Sequence, residues 1–322
     1  MPPPTRALVV GVGPFGLRHA MHYAALPDVV LAGVVDADPA RARAAADALG
    51  CPAFDALDEA AAAADVASVA VPTPLHAEVA AGLLDRGLHV LVEKPLAATA
   101  RDAAALLERA RAGGRVLEVG LVERFNPAVR AVRALGVRPL LVQATRTGPF
   151  PPRAASLDVV TDWMIHDLDL CLHLCGGSVL RVEAAGVPVV GRALDAASAR
   201  LSLSGPPGAP GARDVACDLV AVRLASQVRR TLRLVAADAV YELDLAARTL
   251  VVTRGRRPAE PIPVIAADPL RDELCAFVAA ARGEAPPAIG AEAGRRALEL
   301  AIQVRDAAVA APLPSWAAHA SA

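Results

Sequence analysis

Lys94 closes the stretch Leu88-His89-Val90-Leu91-Val92-Glu93-Lys94-Pro95. An apolar run of strand type ends there in an acid, a lysine and a proline, so the carboxyl end of a buried parallel strand presents two adjacent charges where the ladder stops. Open α/β sheets bind ligands at that end. This puts Lys94 where a cofactor and a substrate meet, with Glu93 beside it. A second set of ionisable side chains, Asp162, His166, Asp169 and His173, recurs at spacings of four, three and four within 159–175 and falls on one helical face. Such a stripe admits three readings: an acid orienting a histidine for proton transfer, a metal site, or a capped, half-buried polar stripe. No further ligand cluster accompanies it, so the metal is the weakest of the three and none is expected. Asp162 and His166 are assigned to chemistry, and His173 is read as structural.

The elements that must position Lys94 lie upstream. Residues 7–10 form a short aliphatic run, Gly11-Val12-Gly13-Pro14-Phe15-Gly16 follows at once, and an apolar helical pattern continues to Leu26. Strand, glycine turn and helix in that order suit a dinucleotide, because glycines permit the tight turn and let backbone amides approach a pyrophosphate at the helix N-terminus. Gly11, Gly13, Pro14, Phe15 and Gly16 are therefore cofactor-binding candidates. The run 29–35 ends in Asp36, twenty residues after Gly16, where an acid meets the adenosine ribose hydroxyls; a plain helix N-cap before Pro39 is the competing reading. A carboxylate there repels a 2′-phosphate, so NAD is expected, with NADP left open by Arg41 and Arg43. A strand at 66–71 stops at Pro72-Thr73-Pro74, which sets Pro72 and Thr73 against the nicotinamide half, with His76 as a cofactor neighbour. Counting a short extended piece at 52–54 and a last strand at 115–119, six strands complete a doubly wound parallel domain over residues 1–120.

The chain has 322 residues, enough for two domains of ordinary size. Its 55% hydrophobic content owes much to alanine, and no stretch of about 18 residues stays apolar without a charge or proline. Lys and Arg total 33 against 34 for Asp and Glu, which leaves no global field to gather nucleic acid or anionic lipid. Small molecules are the expected partners, with no nucleic acid and no membrane. Cys51, Cys171, Cys175, Cys217 and Cys275 are odd in number and scattered, and read as buried reduced thiols. No targeting segment is evident at the N-terminus, so the cytoplasm is the expected compartment.

Downstream, a helix starts at Pro127 and a strand spans 140–147. The stiff loop 148–153 ends in Arg153, a candidate for meeting a diphosphate, with a solvated surface arginine as the equal alternative. Beyond residue 179 come short extended runs at 182–185, 199–203, 215–224, 227–236, 240–245 and 250–253, with a proline- and glycine-rich connection at 205–211. Arg229, Arg230 and Arg233 read as a solvated strand face. A sheet with one uncovered, partly apolar face calls for a second copy of the chain. Helical patterns at 270–281 and 291–310 are expected to cover the sheet's inner face and the domain interface, and the tail 311–322 is either loose or docked through Trp316.

Together, the Gly11 to Gly16 loop, Pro72-Thr73 with His76, Glu93-Lys94-Pro95 and Asp162-Trp163-Met164-Ile165-His166 resemble the Gfo/Idh/MocA family of NAD(P)-dependent oxidoreductases over nearly the whole chain. The resemblance implies a Rossmann domain at 1–120 followed by an α+β domain at 121–322, with an open, mostly antiparallel sheet used for subunit contact in a homodimer or homotetramer. It implies that Lys94, Asp162 and His166 form the reactive group, and it sets Arg124 and Asn126 near the substrate. The segments 120–127 and 158–169 are similar to the branch acting on C3 of UDP-N-acetylglucosamine, although Leu121 stands where those relatives often carry histidine. The function so implied is hydride transfer between a secondary alcohol of a sugar, C3 of a UDP-N-acetylhexosamine, and a nicotinamide. A UDP-hexuronate, an inositol, a free sugar, or a non-catalytic NAD-binding sensor are the alternatives.

Overall fold

The computed structural model describes residues 3–150, 157–190, 192–205 and 213–311. Arg153, most of the connection at 205–211 and Trp316 lie outside the described residues. The chain divides into two compact units, Met1–Val122 with Asp268–Leu298 and Glu123–Ala267 with Glu299–Ala322.

In the first unit, strands and helices alternate as β1 (Thr5–Val10), α1 (Pro14–Ala25), β2 (Val29–Val35), α2 (Pro39–Leu49), α3 (Leu57–Ala62), β3 (Val66–Val69), α4 (His76–Asp85), β4 (His89–Glu93), α5 (Ala100–Gly113) and β5 (Leu117–Gly120). The strands pair in the order β2-β1-β3-β4-β5, every pair parallel. This is a doubly wound sheet with its reversal point beside β1. The extended piece at 52–54 is not a sixth strand. Ala53 makes only an isolated parallel bridge to Val34, because Pro52 has no N–H to give a ladder and the Phe54 ring packs onto Gly33 instead. Helix starts follow local chemistry: Asp38 caps α2 through the Ala40 and Arg41 amides, and Thr99 caps α5 through the Asp102 amide.

The chain returns to this unit through α8 (Pro269–Ala281), capped by Asp268. Leu270, Leu274, Phe277 and Val278 of α8 join Tyr23 of α1 and Ala7, Val9, Val66 and Leu91 of the sheet in one core. The sequence expectation put this helix on the second sheet and the domain interface, whereas it packs within the first unit. Its apolar stripe is equally suited to either sheet, and periodicity carries no information about which one receives it.

The second unit holds α6 (Pro127–Ala134), β6 (Pro139–Thr147), a π-helical turn (Val160–Met164) running into α7 (Ile165–Cys175), then β7 (Val179–Val187), β8 (Ala196–Leu203), β9 (Val215–Val222), β10 (Arg229–Ala236), β11 (Val240–Asp244), β12 (Thr249–Thr253) and β13 (Glu260–Ile262). A final helix, α9 (Ala291–Ala310), contains the boundary between the units. The eight strands pair in the order β13-β12-β11-β10-β6-β9-β8-β7, all antiparallel except β6 with β9. On one face Val142, Ala144, Leu201, Leu203, Cys217, Leu219, Leu232 and Leu234 are buried. The other face carries the ion pairs Arg200–Asp218 at 2.7 Å and Arg233–Glu242 at 2.8 Å, with Val220 exposed in the next row of the same face. Cys171 and Cys175 on α7 and Cys217 on β9 lie together, and hydrogen bonding among them and burial push the Cys175 and Cys217 thiols up, so all three stay protonated.

Candidate active site

The glycine loop has the shape a pyrophosphate needs. Gly11 sits at φ 87°, and a Cβ there would lie 2.7 Å from the Ala70 carbonyl oxygen, while one on Gly16 would overlap the Gly11 carbonyl. Both positions therefore require glycine. Around Gly13, the residue before α1, a Cβ would meet nothing within 4 Å, so that side of the loop is open for close approach. Pro14 opens α1 and Phe15 is exposed beside it. At the end of β2, Asp36 accepts the Val12 amide at 2.8 Å through Oδ2, and the Asp38 amide at 2.9 Å and Arg41 Nη1 at 3.0 Å through Oδ1. The acid is thus fixed against the glycine loop by a backbone N–H. This arrangement fits a dinucleotide: glycines for the pyrophosphate, an acid at the second strand for ribose hydroxyls.

Pro72 and Thr73 lie just past the end of β3, in a short 3₁₀ turn. His76 opens α4 and is buried. Its Nδ1 lies 2.7 Å from the Pro95 carbonyl oxygen and its Nε2 2.9 Å from that of Val71, so the imidazole ties the turn after β3 to the turn after β4. Burial pulls its proton affinity down, against the two carbonyl contacts. The buried ring holds these two turns together rather than reaching outward.

Glu93 is the last residue of β4, and Lys94 follows it, partly exposed, with a cis bond to Pro95. Glu93 Oε1 accepts from His19 Nε2 at 3.0 Å and Oε2 from the Lys94 amide at 3.3 Å. Burial alone would raise its carboxyl, but the His19 N–H, with the charges of Lys94 and His76, holds it below the usual range. Opposite it on β5 stands Gly120, where a Cβ would press to 3.1 Å from Oε1. Lys94 is also the one lysine of the chain: the other basic residues among the 33 are arginines. Arginine cannot be deprotonated in a protein, whereas a lysine amine can be tuned. The chain keeps its single tunable cation at the strand end where chemistry is expected, a signal that was present in the sequence but unread.

In the second unit, Asp162 lies within the π turn and His166 in the first turn of α7, both partly exposed. The turn is anchored by Asp158, whose carboxylate accepts the Val160 and Thr161 amides at 3.0 and 2.9 Å and the Thr161 hydroxyl at 2.5 Å. Inserted π turns of this kind recur at functional sites. The polar stripe along α7 divides in two. Its lower half is structural: Asp169, 1% exposed, receives a two-point contact from Arg124, and His173 Nε2 accepts from Arg133 at 2.9 Å. Burial and the Arg124 and Arg133 charges hold His173 down to about 3, so it is neutral. Its upper half, Asp162 and His166, remains in the position assigned to chemistry.

Two residues set near the substrate by resemblance have protein partners. Arg124 grips Asp169. Asn126 is 2% exposed, caps α6 through the Ala128 amide, and donates to Glu123 Oε2 at 3.0 Å and the Leu245 carbonyl at 2.8 Å. Beside them lies a buried triad absent from the sequence reading. Arg146 reaches both Asp167 oxygens at 2.8 and 2.9 Å and Glu123 Oε1 at 3.2 Å. Polar residues at buried positions of β6 and α7 were the available signal.

A family model, "Oxidoreductase family, NAD-binding Rossmann fold", matches residues 5–121. The whole chain is similar to UDP-N-acetylglucosamine 3-dehydrogenase of Acidithiobacillus ferrooxidans, at 35% identity over 310 residues covering 93% of this chain and 96% of that protein. The chain belongs to the Gfo/Idh/MocA family. A solved structure of the same Acidithiobacillus enzyme superposes with a TM-score of 0.88 over 94% of this chain and 97% of that one. Inositol 2-dehydrogenase of Leifsonia xyli subsp. xyli is 33% identical over 192 residues, covering 56% of this chain and 57% of that protein. The chain is accordingly an NAD-binding oxidoreductase in a family of sugar and nucleotide-sugar dehydrogenases, as the motifs implied. Among the described residues no helix is long and apolar enough to cross a membrane.

Proposed function

We propose that the chain oxidises a secondary alcohol of a nucleotide sugar, C3 of a UDP-N-acetylhexosamine, with NAD as acceptor. The observation that carries this reading is likeness of 35% identity over 93% of the chain to an enzyme of that name, joined to the presence of Lys94, Asp162 and His166. A sensor has no chemical need for all three. Asp36 takes the adenosine ribose hydroxyls, and the amides around Gly13 take the pyrophosphate. Bound NAD supplies the acceptor for the hydride. His166, oriented by Asp162, takes the hydroxyl proton, while the Lys94 ammonium donates a hydrogen bond to the reacting oxygen and stabilises the charge that develops there. The reading is of a cytoplasmic enzyme that pairs with a second copy through the exposed face of its eight-stranded sheet, where Val220 lies bare.

The test is NAD reduction against UDP-N-acetylglucosamine, UDP-N-acetylgalactosamine, a UDP-hexuronate, myo-inositol and free sugars. Turnover is expected with a UDP-N-acetylhexosamine, and Lys94→Ala is expected to lower kcat by roughly a thousandfold, within the range of general acid–base and electrostatic contributions, while NAD affinity holds. Inositol as the preferred substrate replaces the nucleotide-sugar assignment, and a Lys94→Ala variant within tenfold of the native rate removes the lysine from the chemistry.

A further inference from the structure

The side of the first unit's sheet that faces α1 and α8 carries a seam of polar groups that the reaction scheme leaves unused. Val9, Ser68, Leu91 and Glu118 are paired in register across β1, β3, β4 and β5 and so point the same way, and Glu93, two residues past Leu91, points with them. His19 and Tyr23 approach from α1, and His19, Ser68 and Tyr23 are fully buried. His19 Nε2 lies 3.0 Å from Glu93 Oε1, His19 Nδ1 3.1 Å from Ser68 Oγ, and Ser68 Oγ 2.9 Å from the Tyr23 hydroxyl.

The proton inventory fixes the end of this chain at Glu93. The ionised Glu93 only accepts, so His19 Nε2 carries a hydrogen and donates it; Nδ1 pairs with the Ser68 hydroxyl, which pairs in turn with the Tyr23 hydroxyl, whose phenol is kept protonated by burial. Each buried group is satisfied, and the chain ends on the carboxylate that accepts the Lys94 amide.

We propose that His19 is a positioning residue for Lys94, acting through Glu93, and that it couples the helix of the glycine loop to the reacting end of β4. A core histidine that merely fills space needs no particular partner. This one is aimed at the carboxylate adjoining the chain's single lysine, from a helix whose first residue, Pro14, belongs to the loop built for the pyrophosphate. Ordering of α1 by a dinucleotide is thereby transmitted to the turn that aims Lys94. The inference rests on Lys94 being the reacting group, and its test separates the two.

Gln carries an amide near the position of the histidine Nε2, and Asn near that of Nδ1. His19→Gln keeps a donor for Glu93; His19→Asn keeps only the Ser68 side. Loss of a hydrogen bond to a charged group is worth about 1.5–3 kcal/mol, so His19→Asn is expected to lower kcat by roughly 10- to 100-fold with KM for both substrates within about threefold, while His19→Gln stays near the native rate. Because the chain has one lysine, protein labelled with ¹³Cε-lysine and carrying a lysine-free tag gives one ε resonance. That resonance is expected to shift in His19→Asn and to coincide with the native position in His19→Gln, with or without turnover. Equal kinetics in the two variants, or an unmoved resonance in His19→Asn, overturns the proposal. If the native protein oxidises no sugar, the functional reading fails and the resonance still decides the positioning. Should His19→Asn not fold, Ser68→Ala, which releases the ring from its other partner, is read in the same way: a shifted resonance supports the coupling and an unmoved one overturns it.

Discussion

Glu273 of α8 is fully buried, and neither of its carboxyl oxygens has a hydrogen-bond partner among the described residues. Burial, with the nearby Glu93 and Glu118 carboxylates, pushes its proton affinity well above the ordinary glutamate value of 4.5. In the unfolded chain the group titrates near that ordinary value, so above it the native state holds a proton that the unfolded state has released. Stability therefore falls as pH rises from the ordinary value toward the raised one, with a slope of about 1.4 kcal/mol per pH unit for one proton. Glu273→Gln keeps the shape and removes the titration. Urea unfolding of both proteins at pH 5.5 and 7.5 gives a double difference in which the other groups cancel. The native protein is expected to lose stability relative to the variant over those two units, by at most about 2.7 kcal/mol, and the variant to be the more stable at pH 7.5. A double difference below about 0.5 kcal/mol would falsify the argument, since it requires Glu273 either to be ionised with a partner or to titrate no differently on unfolding.

Two more outcomes follow from ion pairs. Arg146→Met leaves Glu123 and Asp167 buried without their shared cation, and is expected to destabilise the second unit by about 3–5 kcal/mol in urea unfolding; a loss below about 1 kcal/mol means the carboxyls take up protons at no cost. Arg41 lies 3.0 Å from Asp36 and is the cation available to a 2′-phosphate. Arg41→Ala is expected to lower kcat/KM for NADP roughly 10- to 100-fold and that for NAD by under about threefold, and equal losses for both cofactors remove Arg41 from the discrimination.

Local chemistry made the first unit readable. Glycines at Gly11 and Gly16 are dictated by backbone contacts with Ala70 and with Gly11 itself, and an acid at the end of β2 sits at a spacing set by the length of one strand–helix–strand step. The failures share a physical origin in long-range pairing. Residues 52–54 have strand composition but find only one bridging partner, Glu260–Ile262 is a strand despite Pro261 because it lies at a sheet edge, and α8 carries an apolar stripe that fits either sheet. In the site, motif residues were legible by type. Their supports were not, because Arg146, Glu123 and Asp167 are separated in sequence and meet only when β6 and α7 pack. Asn126 and Arg124 were legible as polar residues beside a motif, yet the structure gives each a buried protein partner; sequence position near a site does not distinguish a side chain that faces it from one that holds its wall.

The three carboxyls beneath the first unit's sheet differ in how many donors reach them, and that difference assigns the charge. Glu93 receives the His19 N–H and the Lys94 amide and is held ionised. Glu118 receives the Ala288 and Ile289 amides at 3.1 and 3.4 Å, too little to offset burial, and is raised. Glu273 has no hydrogen-bond partner among the described residues and is raised well above the ordinary glutamate value. Burial raises Glu118 and Glu273, with mutual repulsion adding to it at Glu273, while hydrogen-bond donors hold Glu93 low, so the donors favour charge on the residue adjoining Lys94. Groups whose environments drive their proton affinities apart mark where a protein does acid–base work. Here the separation favours an anion at Glu93, beside Lys94, over its two raised neighbours. Removing the proton from Glu273 would then weaken that localisation as well as the fold, which ties the pH dependence of stability to the same seam that aims the lysine.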